Sequence, residues 1–266
     1  PSSLNLNDDV FFDKLNNIAV SVDTYNEGRH FLNFKNPALV IKKVIRSSIS
    51  DLICKGVKPK YYFLSGSGNR KAFTKTNLSK ISKSLKEEQK KYNIILGGGD
   101  TVKSNKLSFT VTSIGFSNKI IYRNRSKIND DVYVTGNLGD SFVGLLVLKN
   151  KIKINKKLSS YFVNQYYKPE IKYSLIDCLN KFATSSIDLS DGLITDLEKL
   201  TNKQNNSYQI YFDKIPLSNA SANISKFSTT PPLDAFINIA PFFITCICSV
   251  LINPLEDSFS AGCKDT

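Results

Sequence analysis

Hydrophobic residues recur along the chain at two spacings, and these predict strands and helices in alternation. Positions 18–24 alternate between apolar and polar side chains, which predicts a strand that ends in an acidic residue. From Pro37 onward the apolar residues recur at helical spacing. Lys55 and Gly56 follow, and a cation before a glycine is typical of a helix end.

The same patterns predict the remaining elements. Further strands are predicted at 60–64, 94–96, 107–116, 131–135, 186–189 and 208–212, and further helices at 76–92, 142–148, 161–167, 171–182 and 193–200. The helix at 76–92 carries Leu78, Ile81 and Leu85 on its apolar side. Alternating strands and helices indicate an α/β or α+β fold. A boundary near 125–135, in the basic stretch Arg123–Asp131, predicts two domains, residues 1–128 and 129–266.

The last 46 residues differ from the rest, with 6 charged side chains against 53 in residues 1–220. Residues 235–255 contain no charge over 21 positions, a length that can span a bilayer. Pro241, Pro254 and the lack of a flanking basic cluster argue against spanning. Three interpretations stay open: a shifted or non-native reading of the gene, a buried element, and a membrane segment.

The amino-acid composition limits the classes of partner that the chain is expected to bind. The net charge is +13, but it comes from 31 Lys and only 5 Arg in a chain rich in Asn and Ile. Base and phosphate recognition depends strongly on Arg, so this bias is typical of an AT-rich genome and predicts no nucleic-acid partner. Five cysteines without a regular framework and no signal peptide predict a cytoplasmic protein without membrane association. The chain starts without Met, as a segment from within a gene product does.

Short acidic motifs at the ends of apolar runs are the main chemical signal. They are Asn7-Asp8-Asp9, Ser21-Val22-Asp23, Ser50-Asp51, Gly97-Gly98-Gly99-Asp100 and Ile187-Asp188-Leu189-Ser190-Asp191-Gly192. Oxygen-only clusters suit Mg²⁺ and its phosphate ligands, which predicts a nucleotide-using enzyme. The chain has neither the Gly-rich lysine loop of P-loop kinases nor the motif set of protein kinases.

Two of these motifs favour a site but also fit simpler structures. The triple glycine lets backbone N–H groups approach a phosphate, with Asp100 on the metal, or it forms a tight turn with a solvated acid. Asp188, Ser190 and Asp191 make a compact set of oxygen ligands. Alternatively, Ser190 or Asp191 caps the helix that begins at Leu193, and the two interpretations are compatible.

Two isolated residues also leave alternatives open. Asp51 lies on the apolar side of its helix, where an unpaired charge is costly, so a metal or a cation is expected beside it. His30, the only histidine, is either structural or, with Arg29, grips an anionic substrate.

Taken in order, the motifs resemble those of the thiamine-monophosphate kinase family, within the AIR-synthase-like ATP-binding superfamily. The resemblance covers about residues 5–220. It rests on Asn7–Asp9, on Ser21-Val-Asp23 with Glu27-Gly-Arg-His30-Phe31, on Ser48-Ile-Ser-Asp51-Leu52 with Gly56, on Gly98–Thr101, on Arg123–Lys127 with Tyr133–Ser141, and on Ile187–Leu193.

The resemblance implies a two-domain AIR-synthase-like fold, with helices on one side of an N-terminal mixed sheet, a C-terminal α/β domain and a homodimer built through the N-terminal sheets. It implies ATP-dependent phosphorylation of thiamine monophosphate to thiamine diphosphate, with several Mg²⁺ ions and no covalent enzyme intermediate. The metal ligands it implies are Asp9, Ser21, Val22, Asp23, Asp51, Asp100, Asp188 and Asp191. The implied ATP contacts are Gly99, Asp100, Arg123 and Ser190, with Arg125 a rival to Arg123, and His30 is the implied substrate contact.

The chain also departs from the family pattern. Asn7 replaces a glycine, and Val22 replaces a threonine, so position 22 offers a metal only its carbonyl oxygen. The family's later Gly-Gly-Asp/Glu-Asp-Tyr-Glu-Leu segment, which helps to bind thiamine, has no counterpart in residues 221–266. Three alternatives follow: a related enzyme with another substrate, a nucleotide-binding protein without activity, and a basic nucleic-acid-binding protein.

Overall fold

A computed structural model describes residues 6–202, 204–222 and, for the backbone, 248–252. The chain forms two compact units, residues 1–120 and 121–266. The domain boundary at 128/129, which was inferred from the sequence, stays a prediction.

The N-terminal unit is built on a mixed six-stranded sheet. Its strands are β1 (Phe11–Asp13), β2 (Ile18–Asn26), β3 (Pro59–Gly68), β4 (Ile95–Gly98), β5 (Thr101–Lys103) and β6 (Ser108–Phe116). The order is β1-β2-β6-β3-β4, and β5 also pairs with β3. The first four strands of that order pair antiparallel, whereas β4 and β5 run parallel to β3. The predicted mixed sheet is confirmed.

Two helices belong to this unit, α1 (Pro37–Cys54) and α2 (Lys75–Tyr92). The side chains of Asn36 and Thr74 cap them by accepting backbone N–H groups. Gly56 has φ +75°, a left-handed conformation that glycine adopts without strain, and it ends the α1 segment as predicted. Helix α1 packs on β2 and β6, and α2 packs on α1.

The apolar side of α2 differs from the prediction at one position. Ile81 and Leu85 are buried, but Leu78 is 47% exposed. Glu88 is buried instead, because Arg46 of α1 donates to it from Nε (2.8 Å) and Nη2 (3.1 Å). A charged residue thus occupies part of the interface between the two helices.

The sheet face away from α1 keeps large apolar side chains at its surface. Val22 is 61% exposed, Phe63 41%, Ile95 45% and Phe116 51%. The strand register places them on one face, since Val22 and Phe63 both lie opposite Thr112. A group of large exposed apolar side chains on one face typically marks an interaction surface.

The C-terminal unit contains a three-stranded sheet and four α-helices among the residues described. Its elements are β7 (Asp131–Val134), α3 (Asp140–Leu148), α4 (Lys156–Tyr167), α5 (Ile176–Phe182), β8 (Ala183–Asp188), α6 (Leu193–Thr201) and β9 (Cys248–Ile252). The sheet order is β7-β9-β8, with both pairings antiparallel. Ile187 and Leu189 pack against Leu193, Leu197 and Leu200 and fix α6 beside the end of β8.

Several predicted elements change; for example, the helix predicted at 161–167 begins at Lys156 and the strand predicted at 186–189 begins at Ala183. The strand predicted at 208–212 is wrong: this segment is irregular and leads into a 3₁₀ turn at Phe212–Lys214. Strand β3 continues through Gly68 instead of ending at 64, because its last residues pair with β5 and β6. Of the helix predicted at 171–182, only Ile176–Phe182 is α-helical, after a 3₁₀ turn.

Most of the atypical C-terminal segment lies outside the described residues. Within its uncharged stretch, Cys248–Ile252 form the middle strand of the C-terminal sheet. No helix among the residues described is long and apolar enough to cross a membrane. The Cys54 thiol is buried and donates to the Asp51 carbonyl oxygen over 3.1 Å.

Candidate active site

Strand β2 and the last turns of α1 bring a hydroxyl and two carboxylates together. Ser21 and Asp23 lie on the helix-facing side of the sheet, since they pair in register with the buried residues Ser113 and Val111. The buried Ser21 Oγ donates to Asp51 Oδ2. The predicted need of Asp51 for a partner on the apolar side of its helix is therefore met in part by this hydroxyl.

Asp23 is the most perturbed carboxylate of this group. Burial raises its pKa to about 6, while hydrogen bonds from Tyr25 and Ser48 lower it. The charge of Asp9 raises the pKa further, and a hydrogen bond with Asp51 lowers it. Tyr25 Oη donates to Asp23 Oδ2 over 3.2 Å and lies 3.2 Å from Ser48 Oγ. Three acids thus share one region, and the charged form of Asp23 is disfavoured there.

One cation, Lys55, lies at the Asn7–Asp9 motif. Its side chain is 0% exposed, and its Nζ lies 2.9 Å from Asp8 Oδ1 and 3.7 Å from Asp9 Oδ2. Asp8 is equally buried, but the side chain of Asp9 is 22% exposed. The two neighbouring acids therefore have different surroundings: Asp8 forms a close ion pair, and Asp9 remains partly open to solvent.

These side chains suit Mg²⁺ when it is bound together with phosphate. In the part of the chain that the structure describes, no three acidic, His or Cys side chains are arranged to hold an ion by themselves. Mg²⁺ at nucleotide sites usually takes one or two carboxylates and completes its shell with phosphate oxygens and water. Asp51 with Ser21, and Asp23 near Asp9, provide such incomplete sets. The side chain of Val22 lies on the opposite face, so only its carbonyl could ligate a metal, as predicted.

The triple-glycine motif has a packing reason in addition to its predicted role. A Cβ on Gly99 would lie 1.8 Å from the carbonyl oxygen of Leu64, so only glycine fits where this segment passes β3. Asp100 is exposed and accepts from the Thr101 N–H (2.7 Å), while its carbonyl accepts from the Gly66 N–H (2.8 Å). The close approach to β3 therefore presents an oriented carboxylate at the surface.

His30 is half-buried and held by its neighbours. Its Nδ1 accepts from the Asn26 N–H (2.9 Å), and its ring lies edge-on to Tyr25 at 5.7 Å. A neutral imidazole that accepts at Nδ1 carries its proton on Nε2 and can donate from there. The structural interpretation of His30 is supported, and the bond from Asn26 places the ring proton of the neutral form on Nε2.

The two arginines considered for ATP have different surroundings. Arg123 is 9% exposed, whereas Arg125 is exposed, with its guanidinium carbon 5.2 Å from the centre of the Tyr122 ring. A buried guanidinium offers a fixed set of donors to a phosphate.

The turn after β8 is shaped by Asp196, which the sequence analysis did not single out. Asp196 Oδ2 accepts the backbone N–H groups of Ser190 (2.7 Å), Asp191 (2.9 Å) and Gly192 (3.2 Å). The prediction that Ser190 or Asp191 caps α6 is wrong, since the N-cap is Gly192 and makes no side-chain cap bond. Asp196 binds the N–H groups of this turn from within the helix.

Lys199 balances the acids of this turn. Its Nζ binds Asp191 Oδ2 and lies 3.1 Å from Asp196 Oδ1. Burial raises the pKa of Asp196, while the charge of Lys199 lowers it. Burial lowers the pKa of Lys199, but the two carboxylates outweigh this and raise it overall. Asp191, a predicted metal ligand, is therefore already paired, whereas Asp188 lies buried at the end of β8.

The residues that the sequence analysis missed are Tyr25, Lys55, Asp196 and Lys199. Asp196 and Lys199 had a local signal, since both follow the Ser190-Asp191-Gly192 motif on one helix, three residues apart. Lys55 had none, because its partners lie at the start of the chain.

Comparison with known proteins identifies the family. The family model described as AIR synthase related protein, N-terminal domain, matches residues 7–117. Thiamine-monophosphate kinase of Buchnera aphidicola subsp. Acyrthosiphon pisum is 35% identical over 239 residues, 88% of this chain and 72% of that protein. The Haemophilus influenzae protein of the same name is 35% identical over 214 residues, 77% of this chain and 62% of that protein.

A solved structure extends this similarity to three dimensions. AaThiL complexed with AMPPCP and TMP matches with a TM-score of 0.84 and 25% identity over 94% of this chain and 82% of that chain. The identity to the Buchnera protein, the family-model match and the shared fold agree with the order of the sequence motifs. The chain therefore belongs to the thiamine-monophosphate kinase family, within the AIR-synthase-like superfamily.

Proposed function

We propose that this chain transfers the γ-phosphoryl group of ATP to the phosphate of thiamine monophosphate, giving thiamine diphosphate and ADP. The observation that carries the proposal is the oxygen cluster of the N-terminal unit, in which Ser21 binds Asp51 and Asp23 lies near Asp9. Relatives named for this activity, and a related structure with AMPPCP and TMP, support the assignment.

The reaction requires the protein to position ATP and thiamine monophosphate and to offset their negative charges. A phosphate oxygen of thiamine monophosphate attacks the γ-phosphorus in line, and the bond to the β-phosphate oxygen of ATP breaks. Acceptor and donor are both anions, so their approach is opposed by charge. When bound, Mg²⁺ neutralises the phosphate oxygens and orients them. Two carboxylates with a hydroxyl are the kind of ligand set that holds such an ion against phosphate.

The residues divide into three proposed roles. The metal ligands are Asp9, Ser21, the Val22 carbonyl, Asp23, Asp51 and Asp100 in the N-terminal unit, and Asp188 and Asp191 in the C-terminal unit. The ATP contacts are Gly99, Asp100, Arg123 and Ser190. His30 donates from Nε2 to the anionic substrate. Burial favours Arg123 over Arg125 as the ATP contact, since the Arg125 guanidinium lies exposed beside Tyr122.

The exposed sheet face supports a homodimer. Val22, Phe63, Ile95 and Phe116 form an apolar surface on one side of the N-terminal sheet. A second copy that covers this face would bury it in a continuous apolar interface. We further propose that the enzyme works in the cytoplasm on soluble substrates. Phe63→Glu should shift the protein towards monomer in analytical ultracentrifugation.

A second function is favoured by one specific observation. Residues 221–266 contain no counterpart of the family's thiamine-binding segment. Such a chain could bind Mg²⁺ and ATP without turning over thiamine monophosphate. The two functions share the nucleotide site and differ in the substrate side.

An assay of product formation distinguishes them. ATP and thiamine monophosphate are incubated with the chain, with and without Mg²⁺, and thiamine diphosphate is measured by chromatography. Magnesium-dependent product supports the kinase; AMPPCP binding without product supports the second function. A chain that carries a grafted family-type C-terminal segment is assayed in parallel. If the graft binds AMPPCP but forms no product, the proposed kinase activity is contradicted.

A further inference from the structure

Lys55 is fully buried at the end of α1, next to residues assigned to the metal site. It directly follows the last helical residue, Cys54, and lies one helical turn after Asp51. In an α-helix, residues four apart lie on the same side. Asp51 binds Ser21 on this side, and Lys55 meets Asp8 and Asp9. The end of α1 therefore joins the cluster on β2 to the N-terminal segment.

The two ion pairs of Lys55 are unequal. The 2.9 Å distance between Lys55 Nζ and Asp8 Oδ1 makes a close ion pair, and both side chains are 0% exposed. The 3.7 Å distance to Asp9 is longer than a hydrogen bond, and the side chain of Asp9 is 22% exposed. Asp8 is thus the main partner of Lys55. Asp9 lies further from the lysine and remains accessible to solvent.

A buried ion pair of this kind is strongly coupled to local geometry. Removing one partner leaves a charge in a low-dielectric environment, and the chain rearranges to avoid that cost. Asp8 and Asp9 are adjacent, so any movement of Asp8 towards water carries Asp9 with it. The position of Asp9 relative to Asp23, whose pKa it raises, therefore depends on Lys55.

We propose that Lys55 is a positioning residue for the metal site. By binding Asp8, Lys55 holds residues 8 and 9 so that the Asp9 carboxylate faces the Mg²⁺ site. The same ion pair keeps Asp8 from binding the metal. This inference rests on the proposed function, because it assumes that the N-terminal cluster binds Mg²⁺. It assigns different roles to two neighbouring acids that the sequence alone does not distinguish.

The test uses the whole chain and a binding readout. Protein stripped of metal with a chelator is titrated with MgCl₂ in the presence of AMPPCP, and the melting temperature is followed by differential scanning fluorimetry. Lys55→Met should move the midpoint to about 10–100-fold higher Mg²⁺, the usual cost of losing a residue that orients a metal ligand. Asp8→Asn should also raise the Mg²⁺ midpoint, because Lys55 would then pair with Asp9 and compete with the metal for its carboxylate.

A double variant separates positioning from general damage. In Lys55→Met/Asp8→Asn both buried charges are removed together, so most of the lost Mg²⁺ affinity should return. Lys43→Met is the matched control, since Lys43 is also buried in α1, at 1% exposure, but lies three turns earlier. Lys43→Met can alter the melting temperature, but its Mg²⁺ midpoint should equal that of the wild type.

The outcomes are distinct. A charge effect alone would tighten Mg²⁺ binding in Lys55→Met, so a midpoint that is lower or unchanged overturns the inference. A double variant no better than the single variants also overturns it. If Lys55→Met does not fold, Asp8→Asn carries the test, and an unchanged midpoint there contradicts the inference. If the wild type itself does not respond to Mg²⁺, the proposed metal site fails and the inference fails with it.

Discussion

The acid cluster of the N-terminal unit and the Ser190–Gly192 turn of the C-terminal unit handle negative charge in opposite ways. In the turn, Asp196 accepts three backbone N–H groups and both it and Asp191 bind Lys199. In the N-terminal cluster, burial and, to a smaller extent, the charge of Asp9 raise the pKa of Asp23 to about 6. The buried cation Lys55 lies closer to Asp8 than to Asp9.

This difference indicates what each region needs. The acids of the turn are balanced by groups of the chain itself, so that region is stable as it stands. In the N-terminal cluster, burial disfavours the charged form of Asp23, an effect that a bound cation would offset. We therefore expect the N-terminal cluster to respond to metal and the turn to respond mainly to loss of its own hydrogen bonds.

The largest effect is expected from Asp23→Asn. Loss of this carboxylate should lower the rate of thiamine diphosphate formation by about 100–1,000-fold, as the loss of one electrostatic contact to the transition state does. Rates are compared with those of Asp13→Asn, which changes a carboxylate of β1 that bonds the Asn16 side chain. Equal rates in the two variants would remove Asp23 from the metal site.

Asp196→Ala should destabilise the C-terminal unit strongly. The variant leaves three N–H groups without their acceptor and removes one of the two carboxylates that Lys199 binds. Leaving a partly buried donor without its acceptor typically costs about 1–3 kcal/mol of unfolding free energy, whereas the pair with the 34% exposed Lys199 adds about 1 kcal/mol or less. Urea denaturation followed by circular dichroism measures this cost. Addition of Mg²⁺ should not restore the stability. A metal-dependent recovery would contradict the difference between the metal-responsive N-terminal cluster and the Ser190–Gly192 turn.

The metal-free protein should lose stability as pH rises from about 4 to about 6. The folded pKa of Asp23, about 6, exceeds the usual aspartate value of 3.8, so the folded state binds more protons in this window. The free energy of unfolding should therefore fall as pH rises, by up to about 3 kcal/mol. Thermal melts in chelator at each pH measure the slope, which should vanish in Asp23→Asn. A flat profile in the wild type would show that Asp23 is not perturbed.

Asp191→Asn should have the smallest effect on stability. Its partner Lys199 is 34% exposed and Asp191 is 42% exposed, and pairs open to solvent contribute about 1 kcal/mol or less. Its effect on Mg²⁺-dependent AMPPCP binding should be larger than its effect on urea stability if Asp191 leaves Lys199 to bind metal. Loss of stability as large as that of Asp196→Ala would show that the turn depends on both acids alike.

Long periodic segments were predictable from the sequence. Helix α1 and strands β2 and β6 formed where predicted, because each has one regular pattern and a clear packing partner. The segment at 208–212 was not, because Tyr208 and Ile210 pack against the α6 core from an irregular backbone. Alternating burial therefore resembled that of a strand, although this segment pairs with no strand among the described residues.

The site was predictable only to the level of its acidic motifs. Spacing and residue type singled out Ser21, Asp23 and Asp51, and the structure brings Ser21 and Asp23 into contact with Asp51. Spacing gave no reason to separate Asp8 from Asp9, because the lysine that distinguishes them is distant in sequence. Long-range charge partners of this kind become visible only when the chain is folded.

The most direct test of the central claim is calorimetric titration of AMPPCP into the metal-stripped chain. Wild type should bind the nucleotide tightly only when Mg²⁺ is present, and Asp51→Asn should lose most of that Mg²⁺-dependent gain while Asp13→Asn keeps it. Binding that is equally tight without Mg²⁺, or unchanged in Asp51→Asn, would contradict the assignment of the N-terminal cluster as the metal site.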